Sequence, residues 1–211
     1  MRQGRHSMPY ADFTLDAVRR TFSITIRQQL LFPNLVTHIV PDWLHVTLEK
    51  GLPIALGSEK ARSEFIIAPI LLTVRDENQN RIAIYSGQRL DSDPSVGLVG
   101  ECDFILTNAP ALPIIQAPII SIVEAKKNDI ESGLGQCAAQ MVGAQRVNQR
   151  EGTGIDTVYG CVTTGETWQF LRLAATTLTI DSERYYINEL GRILAVLQTI
   201  VDFYPQMVPS A

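Results

Sequence analysis

The segment from Phe104 to Val123 carries no charged residue over 20 positions, enough apolar chain to cross a bilayer as a single helix. It cannot be a single helix. Pro110, Pro113 and Pro118 interrupt it, and with Asn108 and Gln116 they would leave backbone groups unsatisfied in lipid. The segment therefore reads as parts of two buried strands, Gly100 to Thr107 and Ile119 to Ala125, joined by a proline-broken loop. No membrane association is expected.

Around these strands the hydrophobic period changes several times. Thr14 to Phe22 predicts a short helix with Leu15, Val18 and Phe22 on one face, and Asp42 starts another that should stop at Gly51. Ser58 to about Asp76 predicts a more apolar helix, kinked or divided at Pro69. Arg81 to Tyr85 reads as a strand. After Ala125, Asn128 to Arg150 is helical: Ile130, Leu134, Cys137, Met141 and Ala144 form one stripe, Asn128 and Glu131 suggest a reciprocal cap, and small residues including Gly133 suggest close packing on a sheet. Thr157 to Thr164 and Thr167 to Ala174 flank Gly165-Glu166 as a hairpin, Thr177 to Asp181 adds an edge strand, and Asn188 to Tyr204 closes the chain as an amphipathic helix before Pro205. The expected fold class is α/β, a mixed sheet flanked by helices. With 211 residues, 45% of them apolar, and no repeat or long linker, one domain is expected: a helical addition over 1–57, a core over 58–174, and an edge strand with a C-terminal helix over 175–211.

The net charge of −4 argues against binding DNA through bulk charge alone, while leaving room for a local basic groove. Cys102, Cys137 and Cys161 are odd in number and lie in apolar surroundings, as reduced core cysteines do, which favours a cytoplasmic protein. His6, His38 and His45 lack metal-ligand spacing, so no structural zinc is expected. Met1 to Tyr10 is polar and has no apolar core, so no signal peptide is expected; Met8 reads as a natural start preceded by a loose extension.

The chemistry concentrates where the apolar strand ends. Side chains alternate along a strand, so Glu124 and Lys126 share one face while Val123 and Ala125 take the other. The same alternation groups Glu101, Asp103 and Ile105 opposite Cys102 and Phe104, so Asp103, Glu124 and Lys126 converge if the two strands are neighbours. Two adjacent carboxylates hold their charge best around a cation, and an all-oxygen set suits Mg²⁺, with Lys126 placed to orient or deprotonate water and offset charge on a phosphate. An acid-x-Lys triplet alone is uninformative: 22 acids and 4 lysines in 211 residues produce about 0.4 by chance. Its position after an apolar strand, with an Asp in the strand before and a small-residue helix after, is what distinguishes it.

On these residues the chain resembles the PD-(D/E)XK nuclease superfamily, with its restriction-endonuclease-like fold. The ordered features are Glu64 on a helix, Asp103 in Gly-Glu-Cys-Asp-Phe, Glu124-Ala125-Lys126 closing a strand, the Gln136/Gln140 helix, and Gly165 to Trp168 in a later strand. They look most like the nuclease domains of restriction subunits and small bacterial relatives. The resemblance implies Mg²⁺-dependent phosphodiester hydrolysis, with DNA as partner and Mn²⁺ as a substitute ion. It implies that Asp103, Glu124, the Ala125 carbonyl and Glu64 hold the metal. Lys126 would act on water and phosphate, and Gln140, favoured over Gln136, would orient the lysine or substrate. Two departures stand out: Cys102 replaces the proline of the family's name, and Ala144 replaces the aromatic residue that follows the glutamine in some branches. The alternatives are a structural ion-pair cluster, or a domain of the same fold that binds nucleic acid or a protein without cutting. Lys127 is expected to point away from the site, Arg146 and Arg150 to complement a helix C-terminus, Trp43 and Trp168 to be core or rim residues, and Tyr185-Tyr186 to cover the sheet edge. Cutting both strands would need a homodimer, for which residues 1–57 are the available surface.

Overall fold

The β-rich middle of the chain forms one mixed sheet of eight strands, in a computed structural model that describes residues 9–55, 57–79 and 81–205. The expected start at Met8 and the extension before it lie outside the described residues. The strands are β1 (Thr25–Gln29), β2 (Ala83–Arg89), β3 (Glu101–Thr107), β4 (Ile119–Ala125), β5 (Thr157–Thr163), β6 (Thr167–Ala174), β7 (Thr177–Asp181) and β8 (Tyr185–Tyr186). Their order is β1-β7-β6-β5-β4-β3-β2, with β8 pairing to the start of β6. β4 and β5 run parallel, as do β1 and β7; the other neighbours are antiparallel.

Among the described residues there are six α-helices: α1 (Leu15–Phe22), α2 (Asp42–Ala55), α3 (Glu59–Arg62), α4 (Ala68–Glu77), α5 (Ile130–Arg150) and α6 (Leu190–Asp202). The parallel β4–β5 pair requires a crossover, and α5 supplies it. One face of the sheet meets α5 and α1, with Ile105, Ile122, Cys137, Met141 and Val162 in that core. The other meets α2, α4 and α6, burying Ile66, Ile70, Phe104, Val123, Trp168 and Leu197. Covered on both sides, β4 is buried at every residue, which explains its lack of hydrophilic alternation.

Several expectations change. β7 is not the edge: β1 pairs outside it, so residues 1–57 contribute a strand as well as helices. β1 reads Thr-Ile-Arg-Gln-Gln and is largely exposed, so it has no apolar alternation to announce it. α2 passes through Gly51 and Pro53 to Ala55. Gly51 is a contact point instead of a cap, because a Cβ there would lie 2.7 Å from the Phe65 carbonyl. That carbonyl is the one Pro69, lacking an N–H, cannot serve from four residues on. The apolar helix after Ser58 is divided before Pro69 by a π turn at Ser63–Ile67. β2 runs four residues beyond Tyr85. α5 is capped by Asp129, whose Oδ1 accepts from the Glu131 N–H at 3.0 Å, and Glu131 pairs with Arg184 instead of reaching back. Arg146 leaves the helix end to pair with Asp93 and covers the Phe22 ring, while Arg150 pairs with neighbouring Glu151. Trp168 is fully buried and Trp43 is half-exposed. Tyr185 is buried against Phe170 while Tyr186 stays exposed. No helix among the described residues is long and apolar enough to cross a membrane.

Candidate active site

The C-terminal end of β4 lies between β3 and β5, and α5 starts five residues later. Asp103 reaches this end by a local break in the pleat. Cys102 and Ile105 enter the same core layer while Phe104 enters the opposite one, so the strict alternation expected along β3 fails between residues 102 and 105. Opposite the break, Gly87 of β2 sits at φ 62, a conformation that favours glycine. The Asp103 carboxylate then takes the place of a backbone partner: its Oδ2 accepts the Ala125 N–H at 2.7 Å.

Glu124 is 2% exposed, and both its oxygens are engaged. Oε1 accepts from Lys126 Nζ at 2.7 Å and Oε2 from Gln140 Nε2 at 2.9 Å. Lys126 Nζ donates a second time, to Gln136 Oε1 at 3.0 Å. The two glutamines therefore divide the work, Gln136 holding the lysine and Gln140 the glutamate. Both lie one turn apart on α5, and the space for Lys126 comes from that helix: a Cβ on Gly133 would lie 3.0 Å from Lys126 Cγ and 2.6 Å from Val162 Cγ1.

Burial and the neighbouring Asp103 charge push the Glu124 carboxyl up to about 7, despite Lys126 and Gln140. Burial also raises Asp103, against the Ala125 N–H; Glu59 and Glu101 add to the rise. For Lys126 burial opposes the charge, but Glu124 beside it prevails and holds the ammonium above its usual value. Two carboxylates thus share one cation in a partly dry site.

Glu64 is not brought to this cluster: it is half-exposed and pairs with Lys60 at 3.7 Å. The helix acid whose charge acts on Asp103 and Lys126 is Glu59, in the first turn after the Ser58 cap. It directly follows Ser58, the expected helix start, so in sequence it reads as an ordinary exposed first-turn acid. Arg62, buried beside the β5–β6 turn, had no signal in sequence.

No protein-family model matches this chain, and no curated protein matches it. The question of a metal rests on the donors themselves. Among the described residues no three His, Cys, Asp or Glu side chains form a metal-holding group. Asp103 and Glu124 are nevertheless oxygen donors short of positive charge, and Gln140 Oε1 is buried without a partner. This chemistry fits a hard divalent cation held by two carboxylates, a backbone carbonyl and waters. Glu64 does not belong to that set.

Proposed function

We propose that the protein is a Mg²⁺-dependent nuclease that hydrolyses phosphodiester bonds in DNA, with Mn²⁺ able to substitute, and that its fold is restriction-endonuclease-like. The observation that carries this reading is the meeting of Asp103, Glu124 and Lys126 at one strand end, with Oδ2 of Asp103 on the Ala125 N–H at 2.7 Å and Lys126 on Glu124 at 2.7 Å. Support for the fold comes from the order of parts: an Asp strand antiparallel to the Glu-x-Lys strand, a helix packed back on the sheet, and a parallel strand after it.

Asp103, Glu124 and the Ala125 carbonyl would hold the metal, which when bound acidifies water and draws off charge from phosphate oxygens. Lys126 has three N–H donors and spends two on Glu124 and Gln136, leaving one for a phosphate oxygen. Gln136 fixes the direction of that ammonium, and Gln140 fixes Glu124. Held charged, Lys126 acts as an electrostatic clamp on the phosphate more than as a base. Hydrolysis places the water oxygen on phosphorus and a proton on the departing oxygen.

A second reading, a non-catalytic module on the same fold that binds nucleic acid or a protein, is favoured by one observation: Lys126 and Gln140 already occupy both Glu124 oxygens. Purified protein is incubated with plasmid and single-stranded DNA in Mg²⁺ or Mn²⁺, beside Lys126→Ala prepared identically. Metal-dependent cutting that falls at least about 100-fold in the variant is expected. No cutting by the wild type in either metal would leave the module.

A further inference from the structure

A polar cavity of about 380 Å³ opens beside the same strand end, lined by Arg62, Lys127, Asn128, Thr164, Glu166 and Arg184 among others. It adjoins the candidate site just past the ends of β4 and β5. Lys127 follows Lys126, and Thr164 follows Thr163, whose carbonyl accepts the Lys126 N–H at 2.8 Å.

Arg62 is the residue that calls for a ligand. Its side chain is only 7% exposed, and Nη1 donates to the Thr164 carbonyl at 2.7 Å and to Glu166 Oε2 at 2.9 Å. Its Nε is buried with no partner. A buried guanidinium with an unused donor is costly, and Arg62 lines the cavity with Nη2, next to that donor, making no hydrogen bond among the described residues, so a phosphate oxygen there would meet an uncommitted guanidinium donor. The charge balance points the same way. Glu166 pairs with Arg62 and Glu131 with Arg184, so three cations against two acids leave the exposed Lys127 as a net positive charge.

We infer that this cavity is a phosphate subsite: Arg62, Lys127 and Arg184 hold a phosphate group of a nucleic-acid strand whose neighbouring phosphodiester lies at Lys126. The inference rests on the nuclease reading for the identity of the strand and deepens it.

Binding is measured by fluorescence anisotropy in EDTA, using internally labelled single-stranded DNA with a 5′ phosphate, a 3′ phosphate or neither. Lys127→Ala, an exposed position, is expected to weaken binding severalfold and to reduce the slope of log K against log salt by about 0.7, one contact on a single strand. Glu166→Gln is expected to move both in the opposite direction. Lys50→Ala, exposed on α2, is the control. Unchanged affinity and slope in Lys127→Ala, or an equal loss in Lys50→Ala, would overturn the subsite. Tighter binding of one phosphorylated end assigns a terminal phosphate; equal binding of all three strands assigns an internal one. Lys127-dependent binding without cleavage keeps the subsite and removes hydrolysis, whereas cleavage with Lys127-independent binding does the reverse.

Discussion

Helix α5 grips β4 at both ends with a buried amide, and the two grips differ. At the start of the strand, Asn148 accepts the Ile119 N–H and donates to the Ile119 carbonyl, each at 2.7 Å. Both halves of the amide are used on neutral partners. At the other end Gln140 donates to a carboxylate and leaves its own oxygen buried and unpartnered. A saturated neutral clamp serves the fold, replacing sheet hydrogen bonds where β3 and β4 slip register at Leu106/Thr107. An unsaturated clamp on a carboxylate pushed up to about 7 is poorly explained by stability, since buried ionic groups seldom improve on apolar packing.

Substitution at each end separates the two functions. Glu124→Gln is expected to lower metal-dependent cleavage at least about 100-fold while preserving the fold, as seen by circular dichroism and a cleavage time course. Asn148→Ala should do the opposite, costing about 3 kcal/mol in urea unfolding because both Ile119 backbone groups lose their partner, with activity per folded molecule retained. Equal stability losses at the two ends would erase the distinction.

The contrast also has a pH signature. Glu124 has a raised pKa in the folded protein, so the folded state holds the proton more tightly than the unfolded chain. Its contribution is fully present below its ordinary value of 4.5 and is lost as pH rises through about 7. Urea midpoints in EDTA should therefore fall across that window by an amount equivalent to about 3 kcal/mol. Glu124→Gln should flatten that decline, whereas Asn148→Ala should retain it. Smaller effects follow. Gly133→Ala presses on the stem of Lys126 and on Val162, so cleavage should drop by about tenfold with Mg²⁺ affinity nearly unchanged, measured by calorimetry. The smallest difference lies along the divided helix after Ser58: Glu59→Gln should weaken Mg²⁺ binding a few-fold, and Glu64→Gln, whose native acid is already paired with Lys60, should leave it unchanged.

Much of this arrangement was legible before the structure. The apolar run of Ile119 to Ala125, the 157–174 hairpin and the long α5 stripe all appear where periodicity and turn residues put them. The common face of Glu124 and Lys126 follows from the two-residue repeat and is realised as their 2.7 Å ion pair. Other features depend on partners distant in sequence. β1 is polar and becomes a strand only because β7 offers its edge. Gly51 looks like a helix stop until Phe65 is found against it. The same limit separated Glu59 from Glu64, two acids on one helical segment, of which Glu59 acts by its charge on Asp103 and Lys126 while Glu64 pairs with Lys60.

The sequence by itself determined the strands and the long helix around β4 and the common face of Glu124 and Lys126 at its end, because alternation and helical period are local properties of the chain. Only the tertiary structure decided how that chemistry is held. The break in β3 that brings Asp103 to the Ala125 N–H, the division of Gln136 and Gln140 between Lys126 and Glu124, and the burial of Arg62 against Thr164 all join residues at least ten positions apart. Bonds at that separation are set by the pairing of β3 with β4 and by where α5 and the helix carrying Arg62 come to lie, which no local pattern encodes.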